Sequence, residues 1–248
     1  MGLVRKIIFV VCLIVFVGSA AILAEYYYSG YKEMNSLLDL KKMGALEDFE
    51  TDRGTISGKY VPIWKKNNDL IGWIKIEGTH IDFPVMQTPE KPEYYLRRDF
   101  NRGHSTGGVP FLDASSDIFL PTSNFMIYGH NMKNGSMFHD LLKYKDEDFY
   151  REHESISFDT IYKGGQGTYK VVAAGYSKVY SRGSDEFKYY EYAGMTEKTD
   201  YEKFVRGIKA LSCYDTGVIP EYGEQLITLS TCTNDGKDGR FFVAAVKQ

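Results

Sequence analysis

The feature that most constrains this chain of 248 residues is an uncharged apolar run near its N-terminus. Ile7 to Ala24 carries no charged side chain and is just long enough to cross the hydrocarbon core of a bilayer as a helix. Arg5 and Lys6 precede the run, so the positive-inside rule predicts a cytoplasmic N-terminus and an external remainder. A cleaved signal peptide is the alternative, because small residues within 19–24 would permit cleavage. Both interpretations export the rest of the chain.

The sequence pattern changes twice after this run. Residues 25 to about 50 are polar, with apolar side chains at roughly helical spacing, which predicts an amphipathic helix that leaves the membrane. A linker is expected over 52–58 and a short helix over 60–69, and the soluble chain from about Asp52 should fold without the anchor. We therefore predict four regions: a basic cytoplasmic end (1–6), a transmembrane anchor or signal peptide (7–24), an N-terminal helical region (25–69) and a globular domain (70–248).

From Leu70 onward, short β-prone runs alternate with turn residues. This pattern is typical of a closed or partly closed β-barrel with helices inserted in its connections, a mainly β fold of the α+β class. The expected strands cover 71–76, 80–87, 109–113, 124–128, 155–161, 168–179, 226–229 and 241–246. The expected helices cover 136–143, 146–153 and 199–211, the last with Thr199 or Asp200 as its N-cap. The formal net charge of −3 gives no electrostatic reason to expect nucleic acid as a partner.

The last two β-prone runs bring two functional residue types close together. Cys232 follows the first run, a polar turn covers residues 233–239, and Arg240 opens the second run. A thiol at the end of one strand and a guanidinium at the start of the next can face one site, and loops held by rigid strands often carry chemistry. The other two cysteines, Cys12 and Cys213, are expected to be packing residues. The spacing of the cysteines predicts no metal site.

His130 is the candidate partner of the thiol. It follows the β-prone sequence NFMIY and Gly129, which permits a sharp turn, so its imidazole is expected to project at a strand end. A thiol attacks a carbonyl as its thiolate, which a nearby imidazolium favours, and the imidazolium can then protonate a leaving amine. Arg240 stays protonated, so it is expected to donate to a substrate carbonyl or a developing oxyanion. Position alone leaves structural roles open for both residues.

Three short motifs resemble those of the sortases, the exported cysteine transpeptidases of Gram-positive bacteria. They are TLSTC at Thr228–Cys232, the arginine at Arg240, and YGHNM at Tyr128–Met132. The resemblance extends over about residues 70–246. The helical region before the fold and the helix 199–211 before the cysteine strand are similar to class B sortases.

The resemblance implies an eight-stranded sortase-type β-barrel and a role for each motif residue. Cys232 would be the nucleophile, His130 the general acid and base, and Arg240 the stabiliser of substrate and oxyanion. Ser230 and Thr231 would contact the substrate. Asn234 stands where some class B members carry an acidic residue, so no catalytic role is assigned to it. No cofactor or metal is implied.

The implied reaction is a two-step acyl transfer. The thiol would cleave a C-terminal sorting motif of a secreted protein after its threonine, and the acyl-thioester would pass to an amine of peptidoglycan or of its lipid-linked precursor. The implied partners are therefore sorting-signal-bearing proteins, cell-wall amines and the membrane. Two alternatives remain open at this point, an exported thiol protease or hydrolase and a non-catalytic surface-binding module.

Overall fold

A long N-terminal helix precedes the domain in the computed structural model, which describes residues 2–119, 124–233 and 238–248. Helix α1 (Leu3–Lys41) runs without interruption through the apolar segment. It ends nine residues before Glu50, the approximate end of the amphipathic helix predicted from the sequence. It is long and apolar enough to cross a membrane. Its apolar N-terminal part is exposed, whereas Leu37 and Leu40 near its C-terminal end are buried against the domain. The helix therefore anchors in the domain core through its last two turns.

A small hairpin occupies the segment for which a linker was predicted. Strands β1 (Phe49–Thr51) and β2 (Gly54–Ile56) pair antiparallel, and Thr51 Oγ1 donates to the Gly54 carbonyl at 2.7 Å. The linker prediction over 52–58 was wrong because strands of three residues are too short to show a period of two. Helix α2 (Val61–Lys66) follows within the predicted segment 60–69.

Eight further strands close into a barrel, which confirms the predicted fold. Around the barrel their order is β10, β8, β7, β3, β4, β5, β6 and β9, and only the β4–β5 and β6–β9 pairs among these described strands are parallel. The strands are β3 (Leu70–Lys75), β4 (Asp82–Met86), β5 (Phe111–Leu112), β6 (Asn124–Tyr128), β7 (Ser155–Thr160), β8 (Thr168–Lys178), β9 (Leu226–Cys232) and β10 (Gly239–Lys247).

The connections carry the remaining helices. Helix α3 (Glu147–Glu152) precedes β7, and helix α4 (Lys198–Ala210) lies between β8 and β9, where a helix was predicted. Glu197 is the N-cap of α4 and makes no side-chain capping bond, so the predicted Thr199 or Asp200 cap was wrong. Three 3-10 helices complete the connections, at Tyr94–Arg97, Phe138–Lys145 and Tyr189–Tyr192. The second of these replaces the α-helix predicted over 136–143.

Strands β9 and β10 are buried on both faces. Ile227 and Leu229 point into the barrel, whereas Leu226 and its same-face neighbours pack against a second apolar cluster outside it. Helix α4 packs over this outer cluster and contributes four buried side chains to it: Tyr201, Phe204, Val205 and Ile208. Burial on both faces explains why the middle of β10, Phe241 to Val246, is a continuous apolar run.

We expect removal of the first 51 residues to weaken the domain without unfolding it. A chain that begins at Asp52 lacks β1 and the buried side chains of Leu37 and Leu40. Each buried leucine contributes roughly 1.5–3 kcal/mol, and each kcal/mol shifts the midpoint of a domain this size by about 2–4 °C. Thermal melts should therefore place residues 52–248 at least about 5 °C below residues 30–248. Equal midpoints would contradict the packing of α1 described above.

Candidate active site

Strand pairing brings His130, Cys232 and Arg240 into one row on the outer face of the barrel. β6 and β9 pair in parallel with Tyr128 opposite Ser230, and the Gly129 N–H donates to the Ser230 carbonyl at 3.1 Å. His130 and Cys232 each lie two residues further on, so both share the face of that pair. β10 pairs antiparallel with β9 and sets Arg240 opposite Cys232. Neighbouring strands lie about 4.8 Å apart, so the three side chains are adjacent.

The row lines a single cleft of about 360 Å³. His130, Cys232 and Arg240 lie at its base together with Ser230 and Thr231. The surrounding walls are largely apolar and come from three segments: Pro92, Glu93 and Leu96; Phe111, Asp113 and Ala114 in and after β5; and Val179, Tyr189 and Tyr190. The structure therefore brings together all five residues that the sequence singled out.

The imidazole of His130 is held by a backbone carbonyl. Nε2 lies 2.9 Å from the Leu96 carbonyl oxygen, which can only accept, so Nε2 carries a proton and Nδ1 is left for proton exchange. Burial lowers the pKa of His130 below its ordinary 6.5. The Leu96 carbonyl stabilises the imidazolium and so raises the pKa of His130, whereas the positive charge of Arg97 lowers this pKa further. The ring is therefore mainly neutral at neutral pH.

The guanidinium of Arg240 is available to a ligand in the cleft. Its Nη1 donates to the Gly239 carbonyl at 2.9 Å, which orients the side chain. No salt bridge to Arg240 occurs within residues 2–119, 124–233 and 238–248. A guanidinium carries five N–H donors, so most of its donor capacity remains for an acceptor near the thiol.

Ser230 and Thr231 have different surroundings. The Ser230 hydroxyl faces the cleft side of β9 and lies 2.6 Å from the hydroxyl of buried Tyr189. Burial raises the pKa of Tyr189 to about 12, so this phenol stays protonated. Thr231 Oγ1 instead donates to the Gly129 carbonyl at 2.7 Å, which ties β9 to the segment that carries His130. That bond favours a positioning role for Thr231 over a substrate contact.

Other candidates from the sequence lie elsewhere or outside the described residues. Cys213 follows α4 and is exposed, so the predicted packing role was wrong, and Cys12 is exposed as well. Asn234 lies outside the described residues. Sequence reasoning missed Tyr189 and the Leu96 carbonyl, because a tyrosine in a long connection and a backbone oxygen carry no motif.

Comparison with known proteins identifies the family. The sortase domain family model matches residues 74–248, more than half of the chain. The chain belongs to the sortase family. Sortase B of Listeria monocytogenes is 32% identical over 235 residues, covering 90% of this chain and 92% of that protein. Sortase B of Staphylococcus aureus is 30% identical over 168 residues, covering 68% of this chain and 65% of that protein.

A solved structure agrees with this assignment. Sortase B from B. anthracis, in complex with AAEK1, superposes with a TM-score of 0.74 over 90% of this chain and 99% of that chain, at 23% identity, which supports the fold. The protein is thus a class B sortase, and sortases of this class are cysteine transpeptidases. In general they act on proteins that bear sorting signals and on cell-wall precursors.

The pKa of His130 in this sortase should lie below 6.5, and Arg97 should account for part of the shift. NMR titration of the His130 ring in a Cys232→Ala background measures it without coupling to the thiol. Arg97→Gln should raise the pKa, because it removes a positive charge that acts on the ring. Arg98→Gln is the matched control and should leave it unchanged. A pKa above 6.5, or equal effects of the two substitutions, would contradict the geometry.

The same shift predicts how stability depends on pH. The folded pKa of His130 lies below the unfolded value of 6.5, so only the unfolded state gains a proton just under pH 6.5. The contribution of His130 to the unfolding free energy is therefore full above pH 6.5 and is lost as the pH falls through that value. Denaturant melts of wild type and His130→Gln should show this loss in the wild type only. Parallel pH profiles would contradict it.

Proposed function

We propose that this sortase is a membrane-anchored transpeptidase that acts through Cys232, His130 and Arg240. The observation that carries the proposal is the row of these three side chains across β6, β9 and β10, at the base of a mainly apolar cleft. A nucleophile, a proton carrier and a fixed cation are the groups that acyl transfer through a thioester requires.

In the first step Nδ1 of His130 takes the proton of the Cys232 thiol, and the resulting thiolate attacks the carbonyl carbon of the sorting-motif threonine. The carbonyl electrons move onto oxygen, and Arg240 donates hydrogen bonds to that oxyanion. When the intermediate collapses, the C–N bond after the threonine breaks and His130 gives its proton to the leaving amine. Nδ1 is the atom for this transfer, because Nε2 is bound to the Leu96 carbonyl. The products are a thioester on Cys232 and a neutral imidazole.

In the second step an amine from peptidoglycan or its lipid-linked precursor attacks the thioester. The neutral His130 takes a proton from the attacking amine, the C–S bond breaks, and a new amide forms with Cys232 released as thiolate. Water would give hydrolysis instead. The apolar walls formed by Leu96, Phe111 and Val179 support the amine reaction, because they disfavour water beside the thioester. Ser230, which lines the cleft, contacts the substrate.

The N-terminal helix supports a single-pass orientation with the catalytic domain outside the cell. Residues 7–24 of α1 would span the bilayer, with Arg5 and Lys6 on the cytoplasmic side. The helix continues to Lys41 and is buried in the domain at Leu37 and Leu40. At 1.5 Å per residue, the domain would stand roughly 20–25 Å above the hydrocarbon core. A cleft at that distance from the bilayer would be accessible to secreted proteins and lipid-linked acceptors.

We expect amine-dependent product formation that requires the three residues of the row. A panel of C-terminal sorting peptides is incubated with and without an amine acceptor, and products are separated by mass. Cys232→Ala should abolish cleavage, and Arg240→Ala should lower kcat by about 10²–10³. Cys213→Ala is the matched control and should keep the wild-type rate, because this thiol is exposed and lies outside the cleft.

Two results would overturn the proposal. Cleavage that never incorporates the amine, with any peptide or acceptor, would make the protein a thiol hydrolase. Cleavage that survives Cys232→Ala would remove the thiol from the chemistry.

A further inference from the structure

The pairing between β6 and β9 continues past the end of β6 through a side chain. The last backbone bond of the pair joins the Gly129 N–H to the Ser230 carbonyl. In the same register the next bond would join the Asn131 N–H to the Cys232 carbonyl. Among the described residues no such backbone bond forms: Asn131 lies in an isolated antiparallel bridge with Met137, and its side-chain Nδ2 donates to the Cys232 carbonyl at 3.1 Å. The amide thus replaces the missing backbone donor.

His139 fixes the orientation of this amide. Its Nδ1 lies 2.8 Å from Asn131 Oδ1. The Cys232 carbonyl can only accept, so Nδ2 must face it and Oδ1 must face His139. Nδ1 of His139 therefore carries a proton.

The 3-10 helix Phe138–Lys145, which carries His139, packs against the segment that carries His130. The Phe138 N–H donates to the His130 carbonyl at 2.8 Å, and the Phe138 ring covers Gly129, where an added Cβ would lie 2.6 Å from ring carbons. Met137, the N-cap of the 3-10 helix Phe138–Lys145, has φ 56°, a strained conformation for a residue other than glycine. Strain held by buried contacts of this kind is often found at functional sites.

We infer that Asn131, oriented by His139, is a positioning residue that sets the Cys232 thiol against the His130 imidazole. Asn131 follows His130 directly in the chain and binds the backbone of Cys232, so one side chain links the two catalytic segments. The inference rests on the proposed function, because it takes Cys232 and His130 as the reacting pair. A displacement of about 1 Å at a reacting group can cost 10²-fold in rate.

Kinetics of four single variants and one double variant test the inference in the full-length protein. Asn131→Ala and the isosteric Asn131→Asp, which lacks the donor, should lower kcat by about 10–10² with KM changed less than about 2-fold. His139→Phe should lower kcat several-fold, and His139→Asn, which can place an N–H near Nδ1, should restore most of it. Because His139 acts through Asn131, the Asn131→Ala/His139→Phe double variant should be no slower than Asn131→Ala.

A second measurement reads the thiol without any peptide or amine. The rate at which iodoacetamide alkylates Cys232 at pH 7 follows its thiolate fraction, and exposed Cys213 serves as the internal reference. Asn131→Ala and His130→Ala should both slow Cys232 several-fold relative to Cys213. This readout holds even if no peptide is turned over, so failure of the proposed function and failure of this inference are distinguishable.

His80→Phe is the matched control. His80 contacts Asp140, the neighbour of His139 on the same short helix, and does not touch Asn131. It should leave kcat and the alkylation ratio unchanged. The inference is overturned if Asn131 variants keep the alkylation ratio, if they change KM alone, if the double variant is multiplicatively worse, or if His80→Phe matches the effect of His139→Phe.

Discussion

The register of three neighbouring strands is the constraint on which the candidate active site depends. β6 and β9 run parallel, and their last pair is Tyr128 with Ser230. Two residues further along each segment, His130 and Cys232 therefore lie side by side. β10 returns antiparallel and starts opposite Cys232 with Arg240. A slip of one residue in either pairing would turn one of the three side chains to the other face. The barrel core holds the register, because β9 and β10 are buried on both faces.

The elements outside the barrel fix the finer geometry. The connection between β4 and β5 supplies the Leu96 carbonyl, which binds the His130 ring. The connection between β8 and β9 supplies Tyr189, which binds Ser230. The loop after β6 supplies Asn131, which binds the Cys232 backbone. The ends of β6 and β9 are therefore held by contacts from three different connections. The barrel sets which residues meet, and the connections set how closely they meet.

The sequence predicted the barrel and most of its strands better than it predicted the fine structure, and the five residues it proposed for the site lie together in one cleft. Burial on both faces makes the middle of β10 a continuous apolar run, β9 begins with β-prone residues, and α4 carries an apolar stripe at helical spacing, so these elements were found. The β1–β2 hairpin was missed because its strands are three residues long. Cys213 was assigned to the interior because a thiol is usually buried, yet it lies exposed after α4. The contact of the Leu96 carbonyl with His130 and the strained conformation of Met137 depend on backbone geometry, which cannot be predicted from residue type.

The most direct test of the central claim is to capture the covalent intermediate. Enzyme mixed with a sorting peptide and quenched in acid is digested and mapped by mass spectrometry. The account predicts that the acyl fragment ending in threonine is attached to Cys232, is absent in Cys232→Ala, and disappears when an amine acceptor is added before the quench. Attachment to Cys213 or to another side chain, or cleavage in which no adduct forms on Cys232, would contradict it.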